Sequence, residues 1–471
     1  MRLRATTAPV NVAWLLVIVL RFTFNAGAQQ DIPGDAEARS ILREASALIP
    51  EIEETQQSSA LANIAGKQVA AGDVEGALAT YRANAKRDNT GAAVEVVAGL
   101  LASHENLPLA LDLVGQADPK FQANAYSFIA TQLAMKKQFD DALAATNMIR
   151  GPGSVTPLVN ALMWINNEQV KAGDLPGAHK TLDEALDAIE QEEERARAAP
   201  LDPNLNDSIA YLYQNVARRL MYAGDREDAL ATVERFYAFV NTVNDPWQKQ
   251  RDESVLASTQ AIVGQFEAAL DTAHQLPPNY LRDTALENIA EEKSLHGDAA
   301  AAMQEANLVE GDFLRNASLR AVADGLVGSG DYRQALAVID LIQEAGERAQ
   351  GLSELAVRQA QASDPKAPLT VQLASEAAFN ARDDAPAMVF EQIAVARGML
   401  LDFAGAEELI SSLKDEDKVW PLWNLTEWMV GAGRTSEAIS LAESQSGAYP
   451  KAYALLGTAT AIIDKFHVHK P

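Results

Sequence analysis

Residues 318–337 read SLRAVADGLVGSGDYRQALA, and this stretch decides the fold. Gly330-Asp331 stands between two runs of helix-favouring residues. A glycine can adopt the left-handed backbone that ends one helix, and the Asp beside it can cap the next. Seven residues before the glycine lies Ala323, preceded by the aliphatic Val322; five residues after it lies Ala335. The unit is therefore helix, tight turn, helix, with a small residue on each arm where the two arms cross. Helices approach closely only where neither carries a bulky side chain at the contact.

Working outward, the same turn recurs at Gly72, Gly173, Gly224, Gly264, Gly297 and Gly433, with degenerate copies at Glu105, Lys137, Ser363 and Leu401. The steps between these eleven anchors are 33, 32, 36, 51, 40, 33, 33, 33, 38 and 32 residues. Fixed spacing of this length is the signature of a repeat array. Length agrees, since 471 residues exceed what one hydrophobic core holds. Ala occupies the position seven before the anchor in nine copies, and the residue before that is aliphatic in every copy, from Ile64 to Leu425. Five residues after the anchor Ala returns in every copy but that of Ser363, where Pro365 and Pro368 interrupt and Ala374 restores the register. The longest step carries an acidic extension, Asp183–Glu194, which predicts a second helix that overruns its partner.

This pattern resembles the tetratricopeptide repeat, which also places a small residue on its first helix, Gly-Asp-like residues at the turn and Ala early on its second helix. The resemblance covers roughly residues 55 to 460. It departs where that family carries first-helix aromatics, here Leu61, Leu286 and Leu319 or Gln68, Gln169 and Gln260, and the family's closing Pro is mostly absent. The implied fold is an all-α, right-handed superhelical solenoid of about eleven hairpins with helical caps. The expected layout is a signal peptide at 1–28, a linker and capping helix at 29–55, the array at 56–450, and a closing helix and tail at 451–471.

Residues 1–28 carry Arg2 and Arg4, an apolar run from Val10 to Leu20 and the small residues Ala26-Gly27-Ala28, which predicts export with cleavage after Ala28. The run is well short of the ~20 residues that span a bilayer, so no stable membrane insertion is expected afterwards. Periplasm and external medium are both compatible. The formal charge of −26 repels phosphate backbones, so nucleic acid is not an expected partner. With no Cys there is neither disulfide nor thiolate metal site.

Motifs for chemistry are absent. His104-Glu105 lacks a second His at metalloprotease spacing, Ser411 and Lys414 match an S-x-x-K spacing without companion motifs, and no phosphate or calcium loop occurs. His467 and His469 are too few for a metal site, and Glu192–Glu194 reads as a solvated helix face. No cofactor, metal or catalytic residue is expected.

What remains is the groove that the resemblance implies, lined by first-helix residues. It holds Asn160, Met163, Asn167 and Lys171 in the fourth repeat, then Tyr211, Gln214, Arg218 and Tyr222 in the fifth. Further along come Arg251, Ser254 and Ser258, Glu287 and Glu291, Arg320 and Asp324, and finally Trp420, Trp423 and Glu427. The fourth and fifth repeats suit an extended peptide and any carboxylate it bears, and Trp420 with Trp423 suits an apolar or sugar-like ligand or the core of the cap. The expected function is an exported scaffold, not an enzyme, that binds a peptide segment or protein partner. The alternatives are an enzyme or glycan-binding protein built on scattered carboxylates such as Glu287, Glu291 and Asp324, and a stalk that spaces other components.

Overall fold

The computed structural model describes residues 35–151, 153–198, 203–307, 309, 312–381 and 385–467; the expected signal segment and the His469 end of the tail lie outside them. Among the described residues there are 24 α-helices and no strand. Eleven hairpins follow one another. The first four are α2 (Glu54–Ala70) with α3 (Val74–Asn84), α4 (Ala92–Ser103) with α5 (Leu107–Gln116), α6 (Pro119–Met135) with α7 (Phe139–Thr146), and α8 (Val155–Ala172) with α9 (Leu175–Ala198). Then come α10 (Pro203–Ala223) with α11 (Arg226–Val240), α12 (Pro246–Ile262) with α13 (Phe266–Gln275), and α14 (Tyr280–Leu295) with α15 (Ala299–Ala306). The last four are α16 (Asp312–Ser329) with α17 (Tyr332–Ile339), α18 (Ala345–Gln361) with α19 (Ala367–Ala381), α20 (Ala387–Met399) with α21 (Phe403–Ser411), and α22 (Val419–Gly431) with α23 (Thr435–Ser444).

All eleven anchors have a positive φ, including the four that are not glycine: Glu105, Lys137, Ser363 and Leu401 lie between 55° and 63°. At each anchor the next residue's N–H donates back to the carbonyl five residues earlier, as from Asp73 to Gln68, Asp331 to Leu326 and Asp402 to Arg397. This satisfies a carbonyl that the ending helix leaves free. Where the next residue is Asp its side chain commonly caps the following helix, as Asp331 does by accepting from the Gln334 N–H at 3.0 Å.

The paired alanines are the hairpin contacts: Ala65 and Ala77, Ala257 and Ala269, and Ala323 and Ala335 are all fully buried. The two copies that lack the first Ala replace it with residues that bond to another helix. Asn166 donates across its hairpin to the Ala178 carbonyl at 2.8 Å, whereas Thr426 donates to the Ala454 carbonyl of the following helix, Ala448–His467, at 2.9 Å. The glutamines found where aromatics were expected face the second helix. Gln169 accepts from Thr181 at 2.8 Å and Gln260 from Thr272 at 2.9 Å, while Lys293 occupies the same position and pairs with Glu305 at 2.7 Å. A polar clasp thus replaces an aromatic plug.

The first helices, α2 to α22, pack side by side in unbroken sequence, whereas successive second helices make no extensive contact with one another. The first helices therefore line the inner, shorter circumference. The two end helices do not sit apart as separate caps. α24 (Ala448–His467) continues the inner row beyond α22 and then meets α2, and α1 (Asp35–Leu48) packs along α24 as a second helix packs on its own first helix. The two termini thus supply a twelfth hairpin, split between the ends of the chain, and the array closes into a ring.

Specific bonds hold this seam. Tyr453 of α24 is fully buried; its hydroxyl accepts from Asn63 Nδ2 at 2.9 Å and shares a hydrogen with Ser59 Oγ at 3.1 Å, both on α2. Lys451 pairs with Glu44 at 2.9 Å. Gly457 allows α24 to lie against α22, since a Cβ there would stand 2.1 Å from the Trp423 carbonyl oxygen.

The acidic extension does lengthen a helix, α9, but it is no solvated face. Glu192 and Glu193 are buried, the first held by Arg195 at 2.6 Å and the second by Arg197 at 2.8 Å and by the Tyr213 hydroxyl at 2.6 Å. Charge patterning alone could not reveal that α10 packs against this stretch and brings Tyr213 to it.

Candidate functional site

The inner wall is tied laterally by polar side chains. Asn215 on α10 donates to Asn160 on α8 at 2.5 Å, Asn288 on α14 donates to Ser258 on α12 at 3.0 Å, and Gln392 on α20 donates to Glu354 on α18 at 3.1 Å. Two regions of this wall carry unusual chemistry.

The first lies between α8 and α10. Along α10, Tyr211, Asn215, Arg218 and Tyr222 recur at helical spacing and share one face. Tyr211 keeps 57% of its surface exposed and Tyr222 80%, and Arg218 is exposed. Along α8, Asn160, Trp164, Asn167 and Lys171 form the facing stripe; Asn160, Trp164 and Asn167 are half-buried, while Lys171 is exposed and pairs with Glu168 at 2.6 Å. Gln214 is half-buried and Met163 is buried in the core.

The decisive residue here was not among those expected. Arg219 lies with its guanidinium 4.9 Å from the Trp164 ring centre, and its Nε donates to Asn215 Oδ1 at 3.1 Å. Burial lowers its pKa to about 10, so it stays charged at neutral pH. The signal was present in the sequence, because Trp164 follows Asn160 by four residues and Arg219 follows Asn215 by four, each one turn on. Only packing shows that the two stripes meet.

The second region spans α14, α16 and α18. Arg320 on α16 ties together Glu347 at 2.7 Å, Asp324, and Glu287 at 4.0 Å. Burial raises Asp324 to about 7, with Arg320 opposing and Glu354 and Glu291 adding to the rise. Burial likewise raises Glu287 and Glu291. The structure thus brings Glu287, Glu291 and Asp324 into one neighbourhood around Arg320.

Trp420 and Trp423 stack at 5.6 Å and both contact Tyr453 edge-on, at 5.6 and 5.9 Å. Trp423 is buried, Trp420 half-buried, and Lys67 from α2 lies 5.6 Å from the Trp423 ring. These aromatics pack at the ring seam. Ser254 and Ser258 are buried in inter-helix contacts. On the outer face His179, Asp225 and Asp228 gather, with His179 Nε2 3.8 Å from an Asp228 oxygen; Asp225 is already engaged in capping α11. Among the described residues no helix is long and apolar enough to cross a membrane.

No family model and no curated protein matches the chain. Solved structures similar to it include Ton1535 from Thermococcus onnurineus NA1, at 17% identity over 70% of this chain and 97% of that one, with a TM-score of 0.30. The pentatricopeptide repeat protein PPR10 from maize aligns at 14% identity over 94% of this chain and 72% of that one, with a TM-score of 0.32. Yeast Tom70 aligns at 12% identity over 92% of this chain and 96% of that one, with a TM-score of 0.31. The repeat geometry described above is that of a tetratricopeptide-like, all-α solenoid.

Proposed function

We propose that the protein is an interaction scaffold that holds an extended segment of a protein partner against the inner wall between α8 and α10. One observation carries this reading: Tyr211 and Tyr222 stand largely exposed on one face of α10, three turns apart, beside a row of amides. Exposed tyrosines give large contact area at low entropic cost, and amides bond to an extended backbone. The Arg320 network is read as part of the wall, because its carboxylates share one guanidinium that joins three inner helices.

Photo-crosslinking side chains placed at positions 211 and 222 should capture a discrete partner from the native extract. Replacing both tyrosines with Ala should weaken that partner's binding at least tenfold without moving the melting curve. Capture that is equally efficient from positions on the outer face, such as 237, would sink the reading.

Export belongs to the same proposal. It is supported by the charged start, apolar run and small residues of 1–28. N-terminal sequencing of the protein from an envelope or culture fraction should begin at Gln29, and an intact Met1 terminus would contradict it.

A further inference from the structure

We propose that His179, Asp225 and Asp228 form a binding site for a divalent transition-metal ion of the zinc type, which ties the fourth repeat to the fifth on the outer face. The site is independent of the inner-wall reading above. Among the described residues, only here do three side chains that can ligate a metal bring one donor atom each within 4.8 Å of one another. They come from two hairpins. His179 lies in the second turn of α9, Asp225 stands at the turn before α11, and Asp228 lies in the first turn of α11. His179 Nε2 is 3.8 Å from an Asp228 oxygen, beyond direct hydrogen-bond reach. Capping of α11 engages Oδ1 of Asp225, and a carboxylate has a second oxygen for another partner.

Comparison of the repeats with one another points the same way. Six residues after the anchor, nine of the other ten copies carry Leu, Met or Ile, from Leu78 to Ile439, and Glu407 is the remaining exception. The fourth copy has His179 there, in the hairpin whose neighbour sets two carboxylates opposite it. The ligands also stand at a cleft. Successive second helices make no extensive contact on the outer circumference, and between α9 and α11 lies a cavity of about 300 Å³ lined by His179, Asp183 and Asp228 beside Leu182 and Leu186. Arg235, also at this cleft, is turned to Glu190 at 2.9 Å. Burial, and after it the charge of Asp225, raises Asp228 above the ordinary carboxylate range, and a cation between the two removes that repulsion. One imidazole with two carboxylates suits zinc and its neighbours, whereas calcium and magnesium take six or more oxygens. Bonds of about 2 Å set tetrahedral ligand atoms roughly 3.3 Å apart, so a small rotation of the exposed His179 side chain closes the set, with water in the fourth position. A motif search misses such a site, because its ligands belong to two repeats and meet only through their packing.

The test uses the full chain without an affinity tag, stripped with a chelator, and zinc chloride as the probe. Calorimetric titration should show binding in the micromolar range. His179→Leu installs the residue that most other repeats carry at this place, and it should weaken binding at least about tenfold. Asp228→Asn should do the same, and both variants should melt as the wild type does when chelator is present. Cobalt chloride should give the visible absorption of a tetrahedral ion with the wild type and not with His179→Leu. Saturating zinc should raise the melting temperature of the wild type by about 2 °C or more and leave that of His179→Leu unmoved. His467→Ala with His469→Ala, which removes the two histidines near the C-terminus, should bind zinc as the wild type does.

Zinc binding that survives His179→Leu and disappears with the two C-terminal histidines would overturn the site. Calcium or magnesium chloride that binds as tightly as zinc would make this an ordinary acidic surface and overturn it as well. Absence of both heat and cobalt absorption in the wild type would end it outright. None of these outcomes bears on the inner-wall reading, which stands or falls on crosslinking from positions 211 and 222.

Discussion

Single residues carry a measurable cost in this fold. Leu401 and Lys137 hold the left-handed conformation that glycine holds at seven other anchors. An L side chain there costs about 1–2 kcal/mol, partly offset because glycine loses more chain entropy on folding. Leu401 is 63% exposed, so little packing is lost with its side chain. Leu401→Gly should therefore stabilise the protein by roughly 1 kcal/mol in urea unfolding, and an unchanged or lower midpoint would show that the turn is not strained. Asp324 offers a test through pH. Its folded pKa is raised from 3.8 to about 7, so the folded state binds the proton more tightly than the unfolded chain does. Stability attributable to this group is then greatest below pH 4, falls as pH rises from 4 to 7, and levels off above. Asp324→Asn should raise the unfolding free energy at pH 8 by on the order of 1 kcal/mol relative to the wild type, a gain that shrinks towards pH 4. A difference independent of pH would show that Asp324 titrates normally.

At the scale of the element, the hairpin is joined by small residues at its crossing and by a polar clasp beyond it. Lys293 and Glu305 are the charged version of that clasp, with side chains only 10% and 9% exposed. Removing one partner strands the other, which costs about 3–5 kcal/mol in a buried pair, whereas replacing both with apolar residues of similar size is often neutral. Lys293→Met should destabilise by about that amount, and Lys293→Met with Glu305→Leu should recover most of it. Losses near zero in both the single and the double variants would place the pair in solvent. The clasp also explains why Gln169 and Gln260 stand where the tetratricopeptide family carries aromatics. Their spacing was readable in the sequence, but the residue they face twelve positions on was not, because only the turn angle sets that alignment.

At the scale of the whole molecule, closure is the feature with the largest consequence. An open solenoid exposes the apolar faces of its end repeats. Here α1 and α24 cover each other, burying Ala38, Leu42 and Ala45 on one side and Ala452, Tyr453 and Leu456 on the other. The chain contains no Cys, so a single introduced pair reports on the seam without interference. Glu44→Cys with Lys451→Cys, at positions whose charged ends now lie 2.9 Å apart, should form an intramolecular crosslink with a short bifunctional thiol reagent in the folded protein. It should not do so after unfolding. A pair that fails to crosslink in the native state would mean that the ends are separate.

The sequence by itself determined everything that depends on neighbours along the chain. It specified the helices, the eleven turns with their left-handed anchors, the alanine contacts within each hairpin and the overrun of α9, because these follow from local conformational preference and from a spacing of a few tens of residues. The tertiary structure alone decided what depends on small rotations summed over eleven repeats. Whether Glu44 meets Lys451 is set by that accumulated angle, which no short window contains. The same holds for the inner wall. Arg219, Trp164 and Glu347 each looked like ordinary helix-face residues and Arg320 like one groove position among many, and only packing of successive first helices made them partners.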